Sequence, residues 1–213
     1  MTHLESAKPR LTSATLSWFD DGCCDVIYLD IWGETAVSFT PPAQLDASWQ
    51  TRQRQVTLAQ DASEELFRRA ADALMRFRFY PQRLVSHFGD FDMGDGRYLR
   101  QGDRVVLRFH VWRWWGRPLL DVLGLMEISR VAQEPRRVEI EYVSASPHAV
   151  EGRWSVELCW LANGELQLTM GSVSRPSPQE PAHNHRRIFR WQDKLLQAGE
   201  RHFQQTITQE IIK

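Results

Sequence analysis

One periodicity constrains what this chain can fold into more than any other. Between His185 and Ile211, the residues Trp191, Leu195, Gly199, Phe203, Ile207 and Ile211 recur every four positions, with Ile188 one turn earlier. Side chains at that spacing share one side of an α-helix. Arg186, Arg187, Arg190, Asp193, Lys194, Glu200, Arg201 and Gln204 fall largely on the other side. A helix of this length is about 40 Å long at about 1.5 Å per residue. It cannot bury its stripe against itself, so the chain must supply a broad apolar surface. The middle of the stripe is Gly199, where a helix packed for its own sake carries Ala or Leu. Gly199 therefore marks either a place for a ligand or a close approach of the helix to the surface beneath it.

Upstream of the helix the hydrophobic period changes to two, the period of strands. Val105, Leu107, Phe109 and Val111 alternate in 104–115, and Leu120, Val122, Met126 and Ile128 in 118–130. Val138, Ile140 and Tyr142 come next, then Trp154, Val156, Leu158 and Trp160, then Leu166, Leu168 and Met170. The connections are short, and Asn163-Gly164 is a strong hairpin signal. Successive hairpins give an antiparallel meander of five strands with one apolar face. The other face carries Arg104, Arg108, Arg137, Glu139, Glu141, Arg153, Ser155 and Glu157, the pattern of solvated cross-strand pairs. Before the meander, 54–58 reads as a strand. A helix capped by Asp61 or Ser63 runs to about Phe79, where Pro81 ends it. The expected class is α+β, a curved antiparallel sheet around a long C-terminal helix. Residues 49–213 form the main domain. Residues 1–48 form a β-rich extension packed on it, with a hairpin at Asp20-Asp21-Gly22 and a break at Thr40-Pro41-Pro42.

With 26 basic and 27 acidic side chains the formal net charge is −1. That balance argues against a general nucleic-acid binder. No run approaches the roughly 18 apolar residues of a membrane-spanning helix, so no stable membrane insertion is expected. The first residues lack the basic flank and apolar core of a secretory signal. Cys23, Cys24 and Cys159 are an odd set of thiols that fits a reducing compartment. A cytoplasmic protein with free cysteines is expected.

The order strand, helix, five-strand meander, long helix resembles the helix-grip fold of the START-related and birch-pollen-allergen-related superfamily. More narrowly, residues 49–208 resemble a family of bacterial and plant domains of unknown function within it. The resemblance is carried by Phe79-Tyr80-Pro81, Gln101-Gly102-Asp103, His148 with Gly152, Ser174-Arg175-Pro176, Arg190-x-Gln192 and Arg201-His202-Phe203. The chain departs from that family after Gly152, where Arg153 and Trp154 stand in place of acidic residues. The superfamily implies binding of lipids, sterols, polyketides or other hydrophobic molecules beneath the last helix. It implies enzymatic activity for a minority of members.

The alternation gives that space a lining. Phe109, Met126, Ile140, Tyr142, Trp154, Leu158 and Met170 should face Trp191, Leu195, Gly199 and Phe203, with Tyr142 and Ser172 as polar handles. The same bulky residues could equally fill it as a solid core. A hydrophobic or amphipathic small molecule is the expected partner. A homodimer is compatible with the N-terminal arm. The alternatives are a cyclase or hydrolase using His148 or Tyr142 as acid and base, and a protein-interaction module. Arg175, Arg186, Arg187 and Arg190 form a basic group that could hold an anion. His183 and His185 lack further metal ligands in sequence, so they read as a helix-capping loop with Asn184 as the cap. Asp90, Asp92 and Asp95 lack the geometry of a calcium loop and read as acidic surface. Trp112, Trp114 and Trp115 read as a small aromatic core under the extension. No cofactor or metal is expected.

Overall fold

Alternating side chains and tight turns do assemble a sheet, seen here in a computed structural model. It describes residues 15–17, 37–92, 96–114, 117–146, 148–178 and 180–209, and for 15–17, 111–114, 117–121 and 208–209 only the backbone. Cys23 and Cys24, the hairpin at Asp20-Asp21-Gly22, Asp95, Ile211 and the side chains of Trp112, Trp114 and Trp115 lie outside the described residues.

The strands are β1 (Thr15–Ser17), β2 (Gln50–Ala59), β3 (Val85–Gly89), β4 (Arg104–Trp114), β5 (Arg117–Glu134), β6 (Arg137–Ser144), β7 (Val150–Trp160) and β8 (Leu166–Pro176). The helices are α1 (Glu64–Met75) and α2 (Ala182–Gln209). The sheet runs β2-β8-β7-β6-β5-β4-β3, with every neighbouring pair antiparallel. The meander is thus β4 to β8, with β2 and β3 as its edges. Irregular register at Thr57/Ala59, His110/Trp112 and Ile128/Arg130 bends the strands, as extra residues in a ladder do. The result is the curved sheet of the helix-grip fold.

Two boundaries differ from expectation. Strand β3 is additional: Val85–Gly89 holds a serine, a histidine and a glycine, so it reads as loop until it pairs with β4. Helix α1 ends at Met75, four residues before Phe79, and Pro81 is not what stops it. Ser63 caps its start, its hydroxyl accepting from the Leu66 amide. At its end Phe77 takes a left-handed φ of 59°. The Arg78 amide then reaches the Ala73 carbonyl and the Phe77 amide reaches that of Leu74. This is a Schellman closure with phenylalanine where glycine is usual. Its backbone cost is about 1–2 kcal/mol. Burial of the ring against Phe79, Phe91, His87 and Tyr142 offsets it.

Both helices lie on one face of the sheet. Their core joins Leu66, Ala70 and Leu74 of α1 to the inward rows of the strands and to Leu195, Leu196, Phe203 and Ile207 of α2. The opposite face is mixed as expected, with Arg137 between Glu139 and Glu157 and Arg153 near Glu141. One expected member of the solvated set is corrected: Arg108 is buried, beside the buried outward residues Val106, Leu123, Leu125 and Val143. On the edge of β5 that β6 does not reach, β1 pairs with Leu120–Val122. Ser38 bridges to Ala145 and its hydroxyl bonds the Glu127 carboxylate. Asp90 salt-bridges Arg104, and the Asp92 carboxylate accepts from the Gly89 amide. Those two acids serve the β3–β4 corner.

Candidate functional site

Beneath α2 the ladders align one row of side chains across the sheet: Ile128, Tyr142, Trp154, Ser172 and Arg52 are successive partners. Partners directly opposite point to the same face. The Tyr142 and Trp154 rings stack at 5.8 Å, and the Tyr142 hydroxyl lies 3.3 Å from that of Tyr80. Burial pushes the Tyr142 phenol well above its ordinary range and raises that of Tyr80. Both stay protonated at neutral pH and serve as neutral hydrogen-bonding groups.

Ser172 and Ser174 sit two residues apart on β8, yet their surroundings differ. The Ser174 hydroxyl accepts from the buried Gln192 amide of α2 at 3.1 Å. Arg52 extends this link, with its Nε 2.7 Å from Asp193 and its guanidinium 4.7 Å above the Phe189 ring. The Ser172 hydroxyl is buried and has no hydrogen-bond partner among the described residues. Such a group costs about 1–3 kcal/mol, so it calls for an explanation.

His148 presents a second case. It is half-buried against Trp154, ring to ring at 6.1 Å, and its Nδ1 accepts from the Val150 amide at 2.9 Å. A neutral imidazole with Nδ1 as acceptor carries its proton on Nε2. Burial lowers its pKa to about 4, so it is neutral at pH 7. Its Nε2 is a buried donor with no partner among the described residues. That nitrogen fills the hollow left by a missing side chain: a Cβ on Gly124 would lie 2.5 Å from it. With its one lone pair engaged by Val150, His148 offers a proton donor and not a base.

Along part of its length α2 packs directly on the elements beneath it. A Cβ on Gly199 would come within 3.0 Å of the Met170 methyl and 3.1 Å of the Tyr80 ring. Of the two roles open to Gly199, the geometry has close approach, and much of that contact comes from Tyr80 ahead of β3. Phe203 and Ile207 are fully sealed beyond it. Toward the other end of α2, Trp191 and Ile188 are only half-buried.

A concave site of about 450 Å³ opens on the outer face of that same end, lined by His183, Arg186, Arg187, Arg190, Trp191 and Lys194. Arg186, Arg187 and Arg190 are exposed, and no carboxylate pairs with them among the described residues. The Lys194 ammonium sits 4.6 Å over the Trp191 ring. Arg175 is elsewhere: it pairs with Glu151 at 2.9 Å and lies over Trp49. Asn184 is not the cap. It lies inside α2, which begins at Ala182, and its side-chain amide donates to Glu180. His185 engages the Glu180 carbonyl and stays apart from the pocket. Among the described residues, no three His, Cys, Asp or Glu side chains converge as a metal site.

The structure therefore places the expected lining of Phe109, Met126, Ile140, Tyr142, Trp154, Leu158, Met170, Ser172, Trp191, Leu195, Gly199 and Phe203 in one interior. It separates Arg175 from the other three arginines. Tyr80, Gln192 and Gly124 also belong to that interior, and sequence reasoning misses them. Gln192 is findable: it is a polar residue beside Trp191 on the edge of the stripe. Gly124, an isolated glycine within a strand pattern, is a weaker signal.

The family model described as Domain of unknown function (DUF1990) matches residues 34–209, opening upstream of the domain start expected at 49. No curated protein matches the chain. Among solved structures, a hypothetical protein from Helicobacter pylori is similar at 8% identity over 80% of this chain and 96% of that one, with a TM-score of 0.47. A protein from Nitrosospira multiformis is similar at 11% identity over 77% and 100%, with a TM-score of 0.49. Major latex-like protein 151 from Panax ginseng is similar at 13% identity over 74% and 97%, with a TM-score of 0.43.

Proposed function

This chain belongs to the DUF1990 family, whose description names no activity, and from its own interior we propose that it binds a hydrophobic or amphipathic small molecule between the sheet and α2. The observation that carries this is the Ser172 hydroxyl, buried and unpartnered among the described residues, on β8 between Met170, which meets Gly199, and Ser174, which bonds Gln192. A ligand with a hydrogen-bonding group among apolar surface supplies what that hydroxyl lacks. Trp154 and Tyr142 offer flat apolar walls beside it, and Trp191 stands half-exposed at the rim. Apolar sites with a few placed polar groups are the usual form of small-molecule pockets. The reading is binding without transformation: Tyr80 and Tyr142 are neutral phenols, and His148 has no free lone pair.

The test is native mass spectrometry and solvent extraction of the purified full chain, followed by titration of whatever is found. Ser172→Ala is the informative variant. It removes the orphan hydroxyl without adding bulk at a buried position, so the free protein should keep or gain up to about 1 kcal/mol of stability. Affinity for the ligand should fall about tenfold, the equivalent of about 1.4 kcal/mol. Repeated extraction with nothing bound, together with unchanged binding of every apolar probe by Ser172→Ala, would remove the reading.

A further inference from the structure

We propose that the cationic hollow on the outer face of α2 takes the phosphate head of an amphipathic ligand. The inference rests on the interior-binding reading above and names the chemistry at its mouth. Three observations lead to it. First, Arg186, Arg187, Arg190 and Lys194 converge on one concavity of about 450 Å³, the size of a small-molecule site. Second, the chain as a whole is balanced at −1, and the two acids of this helix are already engaged by arginines of β2, Asp193 by Arg52 and Glu200 by Arg54. The three arginines of the hollow have no such carboxylate among the described residues. Third, Trp191 belongs to both places. It lines the hollow and also packs against the core that contains Trp154 and Leu195.

Charge complementarity selects the head group. A carboxylate is satisfied by one guanidinium fork, and three would leave uncompensated cations. A phosphate monoester carries close to two charges and three acceptor oxygens, which several guanidiniums and an ammonium can share. The indole selects the group attached to that head. Its ring leads from the cations to apolar surface, so the attached group is a hydrocarbon chain or ring and not a sugar. The chemistry is shared by a lyso-lipid phosphate and by a soluble isoprenoid or alkyl phosphate.

Calorimetry with the full chain can decide it. The probes are dodecyl phosphate, inorganic phosphate, dodecyltrimethylammonium and a neutral dodecyl glycol ether, all below their micelle concentrations. Dodecyl phosphate should bind at least tenfold tighter than inorganic phosphate or the ammonium probe. The triple variant Arg186→Gln, Arg187→Gln, Arg190→Gln should lose at least tenfold for dodecyl phosphate and nothing for the glycol ether. Arg175→Gln, outside the hollow, should change neither. These side chains are exposed, so the variants should fold, and circular dichroism checks that they do. Dodecyl phosphate bound equally by wild type and triple variant would overturn the proposal. If both also bind the glycol ether, the interior reading survives that failure; if no dodecyl probe binds, both fall. Inorganic phosphate bound as tightly as dodecyl phosphate would also overturn it, leaving an ion site unconnected to the interior. Vesicles of phosphatidic acid in phosphatidylcholine, tested by co-sedimentation, separate the sources: retention on them assigns the head to a lipid, and binding of the soluble ester alone assigns it to a free metabolite.

Discussion

The two halves of α2 are the same helix doing different work. From Leu195 to Ile207 it is sealed: Leu195, Leu196, Gly199, Phe203 and Ile207 are all buried, against α1, Tyr80 and the middle of the sheet. From Ala182 to Lys194 only Gln192 is buried, and it is polar. Here the helix is held by directed links, Gln192 to Ser174 and Asp193 to Arg52. Two buried polar atoms without partners among the described residues, Ser172 Oγ and His148 Nε2, lie on β8 and in the β6–β7 connection, while a third, Trp160 Nε1, packs beside Phe67 of α1. An apolar seal fixes the helix non-specifically and strongly. Hydrogen bonds fix it specifically and weakly, which is what a wall must do if something passes behind it.

The largest expected difference between the halves is in stability. Phe203→Ala should destabilise the chain by about 3–5 kcal/mol, the range for emptying a buried aromatic site. Ile188→Ala, at a half-buried position of the same stripe, should cost about 1 kcal/mol or less. Urea midpoints of the two variants read this directly. Equal losses would mean that the whole helix is one packed unit.

Protonation reaches the looser end through His148. The folded-state pKa of His148, about 4, lies below the 6.5 of an unperturbed imidazole because burial penalises the charged form. Between those values the unfolded chain holds the proton and the native chain does not. Stability is therefore full above pH 6.5 and is lost as pH falls toward 4. From pH 7.5 to pH 5 this amounts to about 2 kcal/mol at about 1.4 kcal/mol per unit. His87 and His202 are shifted the same way by burial, so the quantity to read is the difference from His148→Gln. That variant should lose about 2 kcal/mol less over the same interval. Parallel pH profiles would show that His148 is not held neutral in the folded state.

Much of this contrast is legible in the sequence, and the reasons differ by element. The stripe of α2 and the alternation of β4 to β8 repeat over many residues, so local period alone fixes which side faces inward. The turn at Asn163-Gly164 carries its own chemistry, with Gly164 at φ 88°. Phe77 is different. Its left-handed φ is held by four aromatic neighbours, most of them distant in sequence, and nothing local distinguishes it from one more helical residue. Hence periodicity alone runs α1 too long. The site obeys the same rule. Its apolar lining comes from alternation. The donor at His148 depends on a loop folding back onto Gly124, a meeting of β5 with the β6–β7 connection that no window of sequence contains. Nearness in sequence groups Arg175 with the other arginines, but β8 turns it toward Glu151.

A link holding the looser half can be removed without touching the seal. Gln192→Ala deprives the Ser174 hydroxyl of its donor inside the protein. It should cost about 2 kcal/mol, the size of a buried polar group left without its partner. Hydrogen exchange should rise over 182–194 and stay unchanged over 195–207. Uniform exchange along α2 would contradict independent halves.

The smallest effect is at the join, where opposing contributions nearly cancel. Replacing a mid-helix glycine by alanine gains about 1 kcal/mol of helix propensity. At Gly199 the new methyl would meet the Tyr80 ring at 3.1 Å and the Met170 methyl at 3.0 Å. Met170 can turn aside, since its side chain is flexible. Tyr80 cannot easily do so: its ring lies 4.7 Å from that of Phe79, and its hydroxyl meets Tyr142. Overpacking of this kind costs about 1–3 kcal/mol, so Gly199→Ala should be net destabilising by about 1 kcal/mol. The double variant Gly199→Ala, Tyr80→Leu separates the two contributions: with the ring gone, alanine at 199 should stabilise relative to glycine in the same background. If alanine is stabilising even with Tyr80 in place, the join is loose, and the seal over the C-terminal half begins further along, toward Phe203.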